Sequence, residues 1–276
     1  MAEIWPDILT WLAFLPALLL AWGGHRRAAL ILLGLSAVLA LASGVQGALT
    51  SGIFALCLLA AAQIPRLPEA VRPVAHAGLI LTCLALGLGL VPGSGRLTLL
   101  SDIRTGPESL PFSYGVGLAK PFTFFLLLWA WPGLLEAPGP VLRRGLGAAL
   151  LGLAGVFALA LAGHVIAWEP TLPGWLPLFL LGNLLLTCLP EEAFFRGYLQ
   201  QGLMRRLGLW PGLGLSGLLF GAAHLGGGLW LAGLAVLAGL AYGLAYRFGG
   251  GLRAAVACHF GFNLVHLLLF TYPAAA

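Results

Sequence analysis

The sequence predicts an all-α fold, a polytopic transmembrane helix bundle of about ten spans. Three observations carry that expectation. Hydrophobic residues make up 60% of the chain and charged residues only 8%, with a mean hydropathy of +0.99. A soluble domain carries about 25% charged residues, so a chain this apolar cannot build a surface facing water. Apolar runs long enough to cross a ~30 Å hydrocarbon core recur from end to end. These runs are rich in Leu, Ala and Gly and lack the two-residue alternation of barrel strands, so helices must satisfy the backbone in lipid.

The ten expected spans are roughly 5–22, 28–45, 48–64, 74–92, 119–137, 145–167, 173–200, 210–225, 229–246 and 254–271. The first is expected to be a retained span, because Glu3 and Asp7 stand where a signal peptide would be basic. The fifth contains Pro132 and Gly133, and the eighth is short and glycine-rich. The stretch 93–118 is the longest loop and is expected to be external, with a short interfacial piece. Cys57, Cys83, Cys188 and Cys258 all fall within apolar runs without CxxC spacing, as buried thiols would.

The net charge of +5 does not point to nucleic acid, because the basic residues sit singly or in pairs beside apolar runs. Alternate loops divide them unequally. Arg26, Arg27, Arg66, Arg72, Arg143, Arg144, Arg205, Arg206, Arg247 and Arg253 fall on one side, and Arg96, Arg104 and Lys120 on the other. The positive-inside rule makes the richer side cytoplasmic and leaves both termini outside. A single lysine and only two asparagines, Asn183 and Asn263, suggest a GC-rich bacterial source and therefore a bacterial inner (plasma) membrane.

The chain divides by chemistry. Residues 1–168 are apolar spans to which no role is assigned, and residues 169–272 hold the polar residues at membrane depth. An ionisable group there is costly and points to a functional site. In Pro190-Glu191-Glu192-Ala193-Phe194-Phe195-Arg196, Glu192 and Arg196 share a helix face and can form a buried pair. Glu191 points about 100° away and is a candidate general base or acid. Pro190 should kink the helix. The alternative is a helix running on into the cytoplasm with both carboxylates solvated.

In Phe220-Gly221-Ala222-Ala223-His224, Gly217 and Gly221 allow close helix approach, which would bring His224 toward Glu191. His224 could instead face lipid headgroups at a span end. His259 and Asn263 lie one turn apart on the last span, able to donate to an oxyanion, to ligate a metal, or simply to join helices. His266 lies near the same stripe but is read as structural, as are His76 and His164.

E-E-x-x-x-R, F-x-x-x-H and H-x-x-x-N, in that order on successive late helices, resemble the CPBP family, the CAAX proteases and bacteriocin-processing (Abi-type) enzymes. The matching residues are Glu191, Glu192, Arg196, Phe220, His224, His259 and Asn263, and the resemblance covers roughly residues 170–270. It implies an intramembrane endopeptidase. Glu191 with His224 would activate water, His259 and Asn263 would hold the oxyanion, and Glu192, Arg196 and Phe220 would support the site. The substrate would be a membrane-associated protein or peptide. The family has been described in both glutamate-type and metallo-type terms. No H-E-x-x-H is present, and a zinc ion, if used, would fall to Glu191, His224 and His259.

A metal-free mechanism is favoured on the expectation that Arg196 occupies Glu192, leaving few groups to orient the two histidines as ligands. Arg205 and Arg206 follow Glu191 by about four turns, which leads to the expectation of a site opening to the cytoplasm. Two other classes are compatible with ionisable residues in mid-bundle, a proton-coupled transporter and a catalytically silent scaffold.

Overall fold

The computed structural model describes residues 7–276; Glu3 and the start of the first expected span lie outside the described residues. Ten helices occur where ten spans are expected. They are α1 (Ile8–Trp22), α2 (Arg26–Ser43), α3 (Ala48–Gln63), α4 (Arg72–Gly87), α5 (Ala119–Ala130), α6 (Arg143–Ala162), α7 (Leu176–Leu207), α8 (Leu209–Ala222), α9 (Leu229–Gly249) and α10 (Leu252–Leu269). Six of them are long and apolar enough to cross a membrane: α2, α3 with its following 3-10 turn, α6, α7, α9 and α10. The other four, α1, α4, α5 and α8, are shorter apolar helices. Leucines and isoleucines on the long helices face outward, as with Leu151 at 76% and Ile31 at 72% exposure. Lipid is the solvent that such a surface fits, and the chain is an integral membrane protein.

The expectation of a purely helical chain needs correction. In the loop before α5, β1 (Leu97–Ile103) and β2 (Phe112–Val116) pair as a two-stranded sheet. Their apolar residues come in runs too short for a spanning helix, and β1 alternates between half-buried and exposed positions over its first residues. The fifth helix also ends early, at Ala130. Trp131 precedes Pro132, and the residue before a proline is pushed from helical to extended conformation.

The chain forms two compact units that interleave along the sequence. One comprises residues 1–97, 116–135 and 185–190; the other comprises 98–115, 136–184 and 191–276. In the first, α5 is buried on nearly every face, and Phe125 meets Phe14 edge-on while Phe122 stacks on Phe54. Two of its hydroxyls are spent internally, with Ser36 donating to the Thr10 carbonyl and Thr50 to that of Pro92.

In the second unit, α8 packs against α9 where the chain has small residues. A Cβ on Gly221 would lie 2.7 Å from the Ala232 carbonyl oxygen, and one on Gly217 would strike Leu240. The glycines at this spacing are therefore required by helix approach. At one end of this unit the Leu142 amide donates to the Phe248 carbonyl, joining the arginine-bearing ends of α6 and α9. At the other end the 104–110 turn, the 163–171 loop and the C-terminal tail are tied together. The Glu169 carboxylate accepts from the Glu108 amide and the Ser109 hydroxyl, and the Ala276 amide donates to the Glu108 carbonyl.

Candidate active site

α7 positions the two carboxylates, and it is not a uniform α-helix. The turns widen to i→i+5 hydrogen bonding over Asn183–Cys188 and again over Ala193–Gln200, on either side of a short α-helical stretch, Leu189–Glu192. Pro190 has no amide to give to the ladder, and a widened turn accommodates the missing bond without breaking the helix. Widened turns of this kind recur at functional sites.

Glu192 and Arg196 are fully buried and paired, with Arg196 Nη1 3.2 Å from Glu192 Oε1. Arg196 Nη2 donates to the Gly239 carbonyl on α9 at 2.9 Å, and the guanidinium lies 4.3 Å from the Phe220 ring centre. Gln200, one turn on, repeats the pattern by donating to Gly243. Glycines at 239 and 243 let these polar groups reach the α9 backbone.

His259 joins the two adjacent carboxylates. Its Nδ1 lies 2.8 Å from Glu192 Oε1, and its Nε2 lies 4.0 Å from Glu191 Oε2. One imidazole thus addresses both glutamates through different ring nitrogens. Tyr242 stacks nearly parallel on the ring, with centroids 4.5 Å apart. His224 Nδ1 lies 2.7 Å from the Phe220 carbonyl oxygen, which fits donation by that nitrogen and leaves Nε2 as the other ring position. The expectation that Glu192 is used up by Arg196 is therefore corrected. Glu192 Oε1 serves both Arg196 and His259, and both histidines have an orienting acceptor.

His224, His259 and Asn263 line one cavity of about 170 Å³, together with Phe220, Tyr242 and His266. Glu191 is outside its lining and meets the group through His259. The cavity does not run toward the arginines that follow Glu191. It extends to Val165, Ile166, Leu231 and Pro273, at the ends of α6, α9 and α10 opposite Arg143, Arg247 and Arg253. The spacing to Arg205 could not decide the side, because Glu191 sits midway along α7 and is as far from Leu176 as from Leu207.

Two residues not singled out for the site belong to its surroundings. Asn263 Nδ2 donates to Asn183 Oδ1 at 3.3 Å, so the chain's two asparagines bond each other beside His259. Their rarity was the available signal. Tyr242 left none, since an aromatic residue in a leucine-rich span reads as packing. His266 bonds the Thr271 carbonyl through Nε2, and His76 sits edge-on to Trp131. As a zinc site the donors have suitable chemistry, but among the described residues no three His, Cys, Asp or Glu side chains gather as a ligand set. The metalloprotease expectation gains no support from that geometry.

Residues 173–265 match the family model described as type II CAAX prenyl endopeptidase Rce1-like, a protease family. No curated protein and no solved structure matches the chain. The matched segment holds α7, α8, α9 and most of α10, and every residue of the three motifs. Over residues 173–265 the chain is similar to the Rce1-like type II CAAX prenyl endopeptidases, in keeping with its resemblance to the CPBP enzymes.

Proposed function

We propose that the protein is an intramembrane endopeptidase that hydrolyses a peptide bond of a membrane-associated protein or peptide through a glutamate-activated water. The observation that carries this reading is the imidazole of His259 held between Glu192 and Glu191 beside Asn263, inside a segment that matches a protease family.

In this mechanism Glu191, assisted by His224, takes a proton from water, and the hydroxide attacks the scissile carbonyl carbon. The oxyanion that forms accepts hydrogen bonds from Asn263 Nδ2 and from His259 Nε2. A ring that already donates through Nδ1 to Glu192 must carry a second proton on Nε2 to do this. As the tetrahedral intermediate collapses, the proton held by Glu191 passes to the departing amine. Glu192 and Arg196 hold His259 in place, and Phe220 packs against Arg196, His224 and His259. Asn183 positions the Asn263 amide by fixing which end of it donates. No step is routed through a metal.

The test compares membrane-protein termini in cells carrying the wild-type chain, the Glu191→Gln variant, or neither. Endopeptidase activity gives termini present only with the wild-type chain. Termini that are the same in all three strains, with the variant folded and inserted, would leave the transporter and scaffold readings in its place.

A further inference from the structure

Apart from the buried Arg196 at the middle of α7, the helices of the unit that holds the site carry their arginines at one end. Arg143 and Arg144 open α6, Arg205 and Arg206 close α7, Arg247 lies in the last turn of α9, and Arg253 is in the first turn of α10. The Leu142–Phe248 backbone bond ties two of these ends together. The cavity is built from the other ends. Val165 and Ile166 follow α6, Leu231 is in the first turn of α9, Pro273 follows α10, and His224 follows α8, whose opposite end adjoins Arg206. Four helices, α6, α8, α9 and α10, agree on this polarity.

The arginine-poor end is also where the polar cap forms. Buried Ser109 donates to Glu169 and accepts from the Tyr272 amide, while the Thr105 hydroxyl donates to the Tyr272 carbonyl. The Ala275 amide donates to the Val165 carbonyl, so the tail that supplies Pro273 to the cavity wall is fixed to the α6 loop. These are segments from three different loops, all on the side that alternate-loop numbering assigns away from the arginine-rich set.

We infer that the site is entered from the extracytoplasmic face of the membrane, and that its substrate is an extracytoplasmic segment of a membrane-anchored polypeptide. Loops rich in Lys and Arg are retained in the cytoplasm, so a cavity opening at the opposite ends faces outward. The cavity is walled mainly by apolar side chains, with His224, His259, Asn263, His266 and Tyr242 as its polar groups. Its volume of about 170 Å³ is of the size of one apolar side chain of an extended segment, with the adjoining peptide group brought to the histidines. A cytosolic tail would have to cross the arginine-bearing end, where no part of this cavity lies. The word substrate here rests on the endopeptidase reading; the side of entry does not.

Single cysteines placed in a chain whose four native cysteines are replaced by alanine test the two parts separately. The probe is a membrane-impermeant maleimide, applied to intact cells and to inverted vesicles. Leu172→Cys, in the exposed loop after α6, and Val165→Cys, in the cavity wall, should react in intact cells. Leu207→Cys, beside Arg206 and also exposed, should react only in inverted vesicles. The reverse pattern would overturn the inferred side while leaving the protease reading untouched. The expected labelling, with no terminus that depends on Glu191, would sustain the orientation and sink the substrate. Leu172→Cys and Leu207→Cys lie outside the site, so failure of Val165→Cys to insert would still leave the side decided.

Discussion

α7 and α2 are both apolar enough to span a membrane, yet they sit in different solvents. Over an 18-residue stretch of each, α7 has the lower mean hydropathy, 1.4 against 1.6, yet 67% of its stretch is buried against 22% of that of α2. The more polar helix is the one inside. Asn183, Glu192, Arg196, Gln200 and Gln201 of α7 are buried, and each has a protein partner. α2 offers lipid a surface of Leu, Ile and Val, and its one buried hydroxyl, Ser36, donates to a backbone carbonyl. In a bilayer, hydropathy ranks which helices can cross, while pairing of polar groups decides which ones gather.

The largest effect that would break this comparison is on the buried ion pair. Glu192→Ala strands the Arg196 charge and should cost ~3–5 kcal/mol. Unfolding in mixed detergent and the yield of folded protein both read it; an unchanged midpoint would place α7 in the same class as α2. Gly221→Ala should be next, at ~1–3 kcal/mol, because its Cβ would press on the Ala232 carbonyl, which cannot move away cheaply. Gly214→Ala on the same helix meets nothing within 4 Å and should stabilise slightly through helix propensity. Similar shifts for the two would remove the case for close α8–α9 approach.

A smaller effect sharpens the account of the site. Asn183→Leu removes an acceptor worth ~1 kcal/mol to the Asn263 amide, so kcat should fall by roughly five- to tenfold with KM little changed. Asn183→Asp keeps the acceptor and should recover most of that loss. A drop confined to KM, or no recovery with Asp, would make Asn183 a packing residue. Least of all, Leu151→Ala on the lipid face of α6 should shift stability by less than about 0.5 kcal/mol.

Much of this was legible in the sequence. Ten helices were readable because each apolar run is bounded by Arg, Pro or Gly, and the Glu192–Arg196 pair followed from one-turn spacing. The hairpin of β1 and β2 was missed because it lies in a loop without a membrane-scale signal. The widened turns of α7 were missed because a proline announces a lost hydrogen bond without saying how the helix absorbs it. His259 between two glutamates was out of reach for a different reason. Helical spacing sets Glu191 and Glu192 on separate faces, and only the approach of α10 reveals that one ring can address both. Arg205 alone could not indicate the side on which the cavity opens, since Glu191 lies about midway between the two ends of α7.

The central claim is that two neighbouring carboxylates have separate tasks, Glu191 in the reaction and Glu192 in holding Arg196 and His259. Glu191→Gln and Glu192→Gln should be purified side by side, and folded yield and endopeptidase turnover measured for each. Glu191→Gln is expected to keep wild-type yield and lose turnover by at least ~10²-fold, as removal of a general base does. Glu192→Gln is expected to lose folded protein together with turnover. Equal yields with equal residual turnover, or turnover retained in Glu191→Gln, would contradict this division.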